Sequence, residues 1–183
     1  MSRVGKAPIV VPNGVEVNIN DNIVTVKGPK GTLRSEFHKD MIIELDNGNI
    51  VVKRPSDIKM HKALHGLTRS LINNMIIGVT SGFEKALDVS GVGYRAQKQG
   101  KKLIINLGYS HPVEIEEPEG ITIDVPTPNK IIVRGCDKQK VGEYAAIIRR
   151  KREPSVYLAD NMVKGIKYEK EIVRTKAGKA GAK

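Results

Sequence analysis

Apolar and polar positions alternate through the first half of the chain, and the same pattern then recurs. Val15, Val17 and Ile19 alternate with polar neighbours, and Ile23, Val24 and Val26 follow the Asn20-Asp21-Asn22 turn. Gly28-Pro29-Lys30-Gly31 marks a reversal, because glycine permits positive φ and proline presets its own. Leu33 and Phe37, Met41-Ile42-Ile43-Glu44-Leu45 and Ile50-Val51-Val52 continue the series, with a hairpin loop at Asp46-Asn47-Gly48-Asn49. Pro55 stops the last strand. Ser56 and Asp57 suit a helix start, Leu64, Leu67, Leu71 and Met75 step by three and four along one face, and Gly78 closes the helix.

The second half follows the same plan. Val89, Val92 and Tyr94 lead to a hairpin at Lys98-Gln99-Gly100-Lys101. Leu103, Ile104, Ile105 and Leu107 form a buried run, Val113 and Ile115 alternate with glutamates, and Ile121, Ile123 and Val125 precede a Pro126/Pro128 turn. Ile131-Ile132-Val133 then leads through Asp137 into a helix with an apolar stripe of Val141, Tyr144, Ala145 and Ile148. Strand, turn and amphipathic helix therefore occur twice, in one order and at one spacing. Strands clustered ahead of a single helix predict an α+β fold. The expected organisation is two tandem similar domains from an internal duplication, residues 1–81 and 82–153. Each is a mostly antiparallel sheet packed with one long helix, and a basic C-terminal extension, 154–183, follows.

Charge sharpens this division. The chain has 183 residues and a formal net charge of +11. Residues 1–81 hold 11 Lys+Arg against 7 Asp+Glu, residues 82–153 hold 13 against 10, and residues 154–183 hold 7 against 3. The last segment thus carries as much net charge as the first domain, which points to a polyanionic partner. No apolar run is long enough for a membrane helix, and Met1-Ser2-Arg3-Val4-Gly5-Lys6 lacks the apolar core of a signal peptide. A single cysteine, Cys136, leaves no intramolecular disulfide and suits the cytoplasm.

The candidate chemistry is sparse. His61 and His65 have metal-pair spacing on a helix, but Lys62 stands where a zinc-protease glutamate would be, so both read as helix-surface residues. Gly91-Val92-Gly93-Tyr94-Arg95-Ala96 fits a loose dinucleotide fingerprint but leads into a hairpin rather than a helix. Cys136 has no activating partner nearby, and Glu114, Glu116, Glu117 and Glu119 read as a solvated sheet face. No acid, base and nucleophile come together, so no enzyme, no metal site and no cofactor is expected. The end of the chain is different. Arg149-Arg150-Lys151-Arg152 closes the second helix, and Lys164, Lys167, Lys170, Arg174, Lys176 and Lys179 recur with Tyr168 among them and Gly165 beside them. That pattern suits a cationic arm ordering against phosphates. Removing Lys164–Lys183 is then expected to leave both domains folded while costing affinity for that polyanion.

Met1-Ser2-Arg3-Val4-Gly5-Lys6, Val24-Thr25-Val26-Lys27-Gly28-Pro29-Lys30-Gly31, Leu71-Ile72-Asn73-Asn74-Met75, Gly91-Val92-Gly93-Tyr94-Arg95-Ala96 and Leu107-Gly108-Tyr109-Ser110-His111-Pro112-Val113 stand in one order along the chain. They closely resemble bacterial large-subunit ribosomal protein six, the L-six family, over nearly the whole length. The resemblance implies a structural, cytoplasmic ribosomal protein that binds large-subunit rRNA near the sarcin–ricin loop and the stalk base. It implies neighbouring large-subunit proteins as partners, indirect support of translation-factor docking, and no membrane. It also implies that the second domain and the extension make much of the RNA contact. The family's Pro-Glu-Pro-Tyr-Lys-Gly-Lys-Gly signature is altered and longer between Pro154 and Val163, whereas Lys164-Gly165-Ile166-Lys167-Tyr168 is retained. The expected RNA-binding residues are Arg149, Arg150, Lys151, Arg152, Lys164, Gly165, Lys167, Tyr168, Lys170, Arg174, Lys176 and Lys179, joined by Arg3 and Lys6.

Overall fold

The repeat in the sequence is a repeat of strand order. The structure, a computed structural model, describes residues 3–46, 48–159 and 162–176. The chain forms two units, 1–83 with Cys136–Lys138, and 84–135 with 139–183.

The first unit opens with a short helix α1 (Arg3–Lys6) and strand β1 (Ile9–Val10). Strands β2 (Glu16–Asn20), β3 (Ile23–Gly28) and β4 (Gly31–Glu36) form an antiparallel meander. A second small sheet runs β1, β6 (Asn49–Lys53), β5 (Ile42–Asp46), and helix α2 (Lys59–Thr80) follows. Val24 and Val26 of β3, Ile50 and Val52 of β6, and Ile72, Met75, Ile76 and Val79 of α2 fill the core. This shifts the expected helix face. The core edge of α2 runs through His65, Thr68, Ile72, Met75, Ile76 and Val79, and Leu67 is 53% exposed. The apolar stripe is wide enough to be read on either of two adjacent faces, and sheet packing chooses between them.

Three more local readings are corrected. Gly78 does not end α2, which continues to Thr80. A Cβ at Gly78 would collide with the Cys136 carbonyl, so this glycine serves a close backbone approach. Ile58, not Ser56, occupies the N-cap position, without a side-chain cap. His65 is buried rather than on the surface. Arg54 Nη1 donates to its Nδ1 at 2.9 Å, so the proton sits on Nε2, which donates to the Val52 carbonyl at 2.8 Å. His61 Nδ1 meets Ser56 Oγ at 2.8 Å and its Nε2 meets Asp40 at 3.2 Å. Both histidines are thus turned to separate protein partners.

The second unit repeats the plan with β7 (Phe83–Ser90), the meander β8 (Arg95–Gln99), β9 (Lys102–Asn106) and β10 (Val113–Glu116), then β11 (Ile121–Thr127), β12 (Lys130–Gly135) and α3 (Lys138–Arg150). Its second sheet is ordered β11-β12-β7, the counterpart of β5-β6-β1. Ile131 and Val133 on β12 are buried at the positions that match Ile50 and Val52 on β6. Val141, Tyr144, Ala145 and Ile148 form the buried stripe of α3, as the spacing predicts. Burial pushes the Tyr144 hydroxyl up to about 12, and it donates to the Glu116 carbonyl.

The last three strands have no counterpart in the first unit. After the paired strands β13 (Leu158–Ala159) and β14 (Met162–Val163), β15 (Gly165–Tyr168) lies antiparallel along the outer edge of β7. Gly165 pairs with Ser90 and Tyr168 with Leu87, and the Glu169 N–H donates to the Ala86 carbonyl at 3.1 Å. Ile166 is fully buried, and its N–H donates to the Arg152 carbonyl at 2.8 Å. The retained Lys-Gly-Ile-Lys-Tyr segment is therefore the edge strand of the sheet, not a separable arm. An eight-residue edge strand left unpaired would offer its backbone to other chains, and β15 covers its C-terminal half, Leu87 to Ser90.

The return of the chain to that edge depends on two contacts. Gly165 has φ +133°, and a Cβ there would stand 2.6 Å from the Glu153 carbonyl oxygen and 2.7 Å from Pro154 Cα. Beyond the strand, Arg149 Nε and Nη2 donate to the two Glu171 oxygens at 2.9 and 2.6 Å. Glu171 also accepts the Tyr168 N–H at 3.1 Å. The Arg149 guanidinium holds the Glu171 carboxyl below the usual carboxylate range, and Glu171 in turn raises Arg149.

Three variants test this through stability. Gly165→Ala lowers unfolding free energy by about 2 kcal/mol or more, because strain and a backbone clash add. Deleting residues 164–183 melts the second unit well below the intact chain, since burying an isoleucine alone contributes roughly 2–3 kcal/mol. An unchanged melt for either variant would remove β15 from the fold. Glu171→Gln costs about 1 kcal/mol at neutral pH. A lowered carboxylate stabilises fully above its ordinary value of 4.5 and loses that contribution as pH falls through the lowered value. Urea titrations should therefore show the wild-type advantage over Glu171→Gln shrinking in acid below that range.

Candidate nucleic-acid interface

The buried stripe of α3 decides where its basic end points. With Val141, Tyr144, Ala145 and Ile148 inward, the last turn places Arg149 at the rim and Arg150 outward. Cations at a helix C-terminus also complement the partial negative charge of its free carbonyls. Four consecutive basic residues then divide by environment. Arg149 is taken up by Glu171 and lies 5.7 Å from the Tyr168 ring centroid. Arg152 lies 5.0 Å over the Tyr109 ring, and contact with Tyr109 raises its already high pKa. Arg150 and Lys151 are exposed and make no ion pair among the described residues.

The strand β15 orders the next group. Gly165 and Ile166 are buried, and Lys167 and Tyr168 are half-buried. Tyr168 lies within cation range of both Lys85, at 5.4 Å, and Arg149, at 5.7 Å. The Lys164 carbonyl accepts the Ser155 N–H at 2.8 Å. Lys170 and Arg174 are exposed, whereas the neighbouring Glu169 is neutralised by Lys130 at 2.5 Å. Lys176 donates its N–H to the Val156 carbonyl at 2.8 Å and sits 5.9 Å over Tyr157. Lys179 lies outside the described residues.

The second unit thus assembles a cationic face from the end of α3, β15 and the segment after it. Arg3 and Lys6 are exposed on α1 of the first unit. Two kinds of residue escaped sequence reasoning. Glu171 reads as a reduction of charge but is the anchor that fixes Arg149 and Tyr168. Tyr109 and Lys85 lie far from the tail in sequence, and the fold brings them to the same unit. A signal was present: all five tyrosines, Tyr94, Tyr109, Tyr144, Tyr157 and Tyr168, fall after residue 83. Three of them have a Lys or Arg over the ring.

Among the described residues, no group of three or more His, Cys, Asp or Glu can hold a metal ion. No helix among them is long and apolar enough to cross a membrane. Cys136 Sγ donates to the Lys30 carbonyl at 2.9 Å. Glu117 is tied to Lys98 and to the Ile123 N–H, both at 2.7 Å. The Gly91-Val92-Gly93-Tyr94 segment is a turn between β7 and β8, closed by the Tyr94 N–H to the Gly91 carbonyl at 3.2 Å.

Comparison with known proteins agrees with this architecture. The model of the ribosomal protein L6 family matches twice, over residues 11–82 and 90–169, one match to each repeat. A protein of Caldicellulosiruptor saccharolyticus named large ribosomal subunit protein uL6 is 63% identical over 181 residues, 99% of this chain and 97% of its own. The protein of that name from Ruminiclostridium cellulolyticum is 64% identical over 184 residues, 100% of this chain and 98% of its own. One from Clostridium botulinum is 59% identical over the whole of both chains. Matched in both of its repeats and along its whole length, the chain belongs to the ribosomal protein L6 family.

Proposed function

We propose that the chain is a structural constituent of the large ribosomal subunit and that the cationic face of its second unit binds large-subunit rRNA. Its relatives are named as large-subunit proteins, and members of this family are structural rather than enzymatic. Its place is accordingly the cytoplasmic ribosome, with rRNA and other ribosomal components as partners. The observation that carries the RNA reading is the separation of roles among the cations. Arg149, Arg152 and Lys176 are held by Glu171, Tyr109 and Tyr157, while Arg150, Lys151 and Arg174 are exposed without an ion pair among the described residues.

The mechanism is electrostatic positioning. Each phosphate neutralised by Lys or Arg releases condensed counterions, which drives association at low salt. The held cations fix the shape of the face, and the exposed ones reach the phosphates. Lys164, Lys167 and Lys170 extend the face along β15 and its turn, and Arg3 and Lys6 add charge in the first unit. Because an A-form helix hides its base edges in a narrow groove, the face reads RNA shape. By the family resemblance, the RNA lies near the sarcin–ricin loop and stalk base, beside other subunit proteins, where it supports the docking of translation factors.

Binding of the full chain to protein-free large-subunit rRNA should weaken steeply with salt. The double variant Arg150→Ala/Lys151→Ala should reduce the slope of log affinity against log salt by about 1.5, at roughly 0.7–0.9 per contact. An unchanged slope with full affinity removes these two side chains from the interface. Chemical footprinting of the same complex tests the location, and protections that avoid the sarcin–ricin region and stalk base would contradict it.

A further inference from the structure

Tyr109 is held in place yet left open. Its hydroxyl donates to the Lys151 carbonyl at 3.1 Å, and the Arg152 guanidinium lies 5.0 Å from the ring centroid. Those contacts fix the ring and occupy one end and one side of it, yet the residue remains 44% exposed. The support beneath is a buried ring. Tyr94 is buried, and a Cβ placed on Gly108 would stand 3.1 Å from its Cε1, so the Tyr109 loop lies directly against that ring. Arg150 and Lys151 are exposed on the same chain turn, and Ser110 and His111 are exposed beyond the ring. An apolar ring fixed by a cation and surrounded by polar and basic groups suits a planar, polyanion-borne ligand better than solvent.

We infer that Tyr109, backed by Arg152, is a stacking platform for one unpaired nucleobase. The inference rests on the RNA-binding reading and specifies which feature of the RNA the face selects. An aromatic ring stacks on the π-face of any base, while the flanking cations hold the adjoining phosphates. Within a continuous duplex the base faces are already stacked on one another. The platform therefore engages a loop, a bulge or an end, and it discriminates where phosphate contacts alone would not. Because stacking neutralises no phosphate, it adds affinity without adding salt dependence.

The test uses the full chain and protein-free large-subunit rRNA, with wild type and the variants Tyr109→Phe, Tyr109→Trp and Tyr109→Leu. Phe and Trp should bind within about twofold of wild type, and Leu roughly tenfold more weakly, all with one salt slope. Leu binding as tightly as wild type would overturn the platform, and so would Phe binding as weakly as Leu, which would make the hydroxyl the active group. A second reading does not depend on how well the Leu variant folds. The chain has no tryptophan, so Tyr109→Trp carries a single indole that can be excited apart from the remaining tyrosines. Its emission should be quenched when RNA binds, and unchanged emission in a saturated complex contradicts stacking. Wild type failing to bind with a salt-steep slope would instead overturn the RNA-binding reading itself.

Discussion

The second unit depends on closing the edge of one long strand. β7 spans eight residues, while its counterpart β1 in the first unit spans two. A two-residue edge is blunt enough to stand alone, but an eight-residue edge is an open template. The chain covers the C-terminal half of that edge with its own end, burying Ile166 and threading Gly165 past Glu153 and Pro154 where a side chain would not fit. Everything placed after that strand is positioned by this pairing.

Duplication and electrostatics then serve different ends. Two repeats of strand, turn and helix give two similar cores, and neither core requires the net positive charge. Charge is concentrated where the repeats diverge, in the last turn of α3 and beyond. There the protein uses its few acids sparingly. Glu171 fixes Arg149, Glu169 pairs with Lys130, and tyrosines rather than carboxylates hold Arg152 and Lys176. A cation held against an aromatic ring keeps its charge available, which a cation in an ion pair does not. The result is an ordered face whose excess charge remains directed outward.

Much of this was legible in the sequence, and the misses share a cause. The strand pattern, the stripe Val141-Tyr144-Ala145-Ile148, the hairpin at Gly100 and the tandem α+β plan follow from local periodicity. The α2 face did not, because Leu64, Leu67 and Leu71 step as regularly as the residues that the sheet buries. Gly78 and His65 were misread for the same reason, since a close approach and a buried hydrogen-bond pair depend on partners distant in sequence. The tail was read correctly as basic and wrongly as separable. Four residues, Gly165–Tyr168, are too short a run to show strand alternation, and only the exposed edge of β7 explains their conformation. The family motifs pointed to RNA as the partner, while the hold of Glu171 on Arg149 and the openness of Tyr109 required coordinates.

The central claim is that the end of the chain, fixed to the second sheet, faces RNA. Directed hydroxyl-radical cleavage tests it most directly. Iron tethered at Lys170→Cys or at Glu44→Cys, each in a Cys136→Ser background and assembled into large subunits, reports which unit lies against rRNA. Cuts should be strong and clustered from position 170 and weak or absent from position 44. Equal cutting from both positions, or cutting only from position 44, would contradict the account.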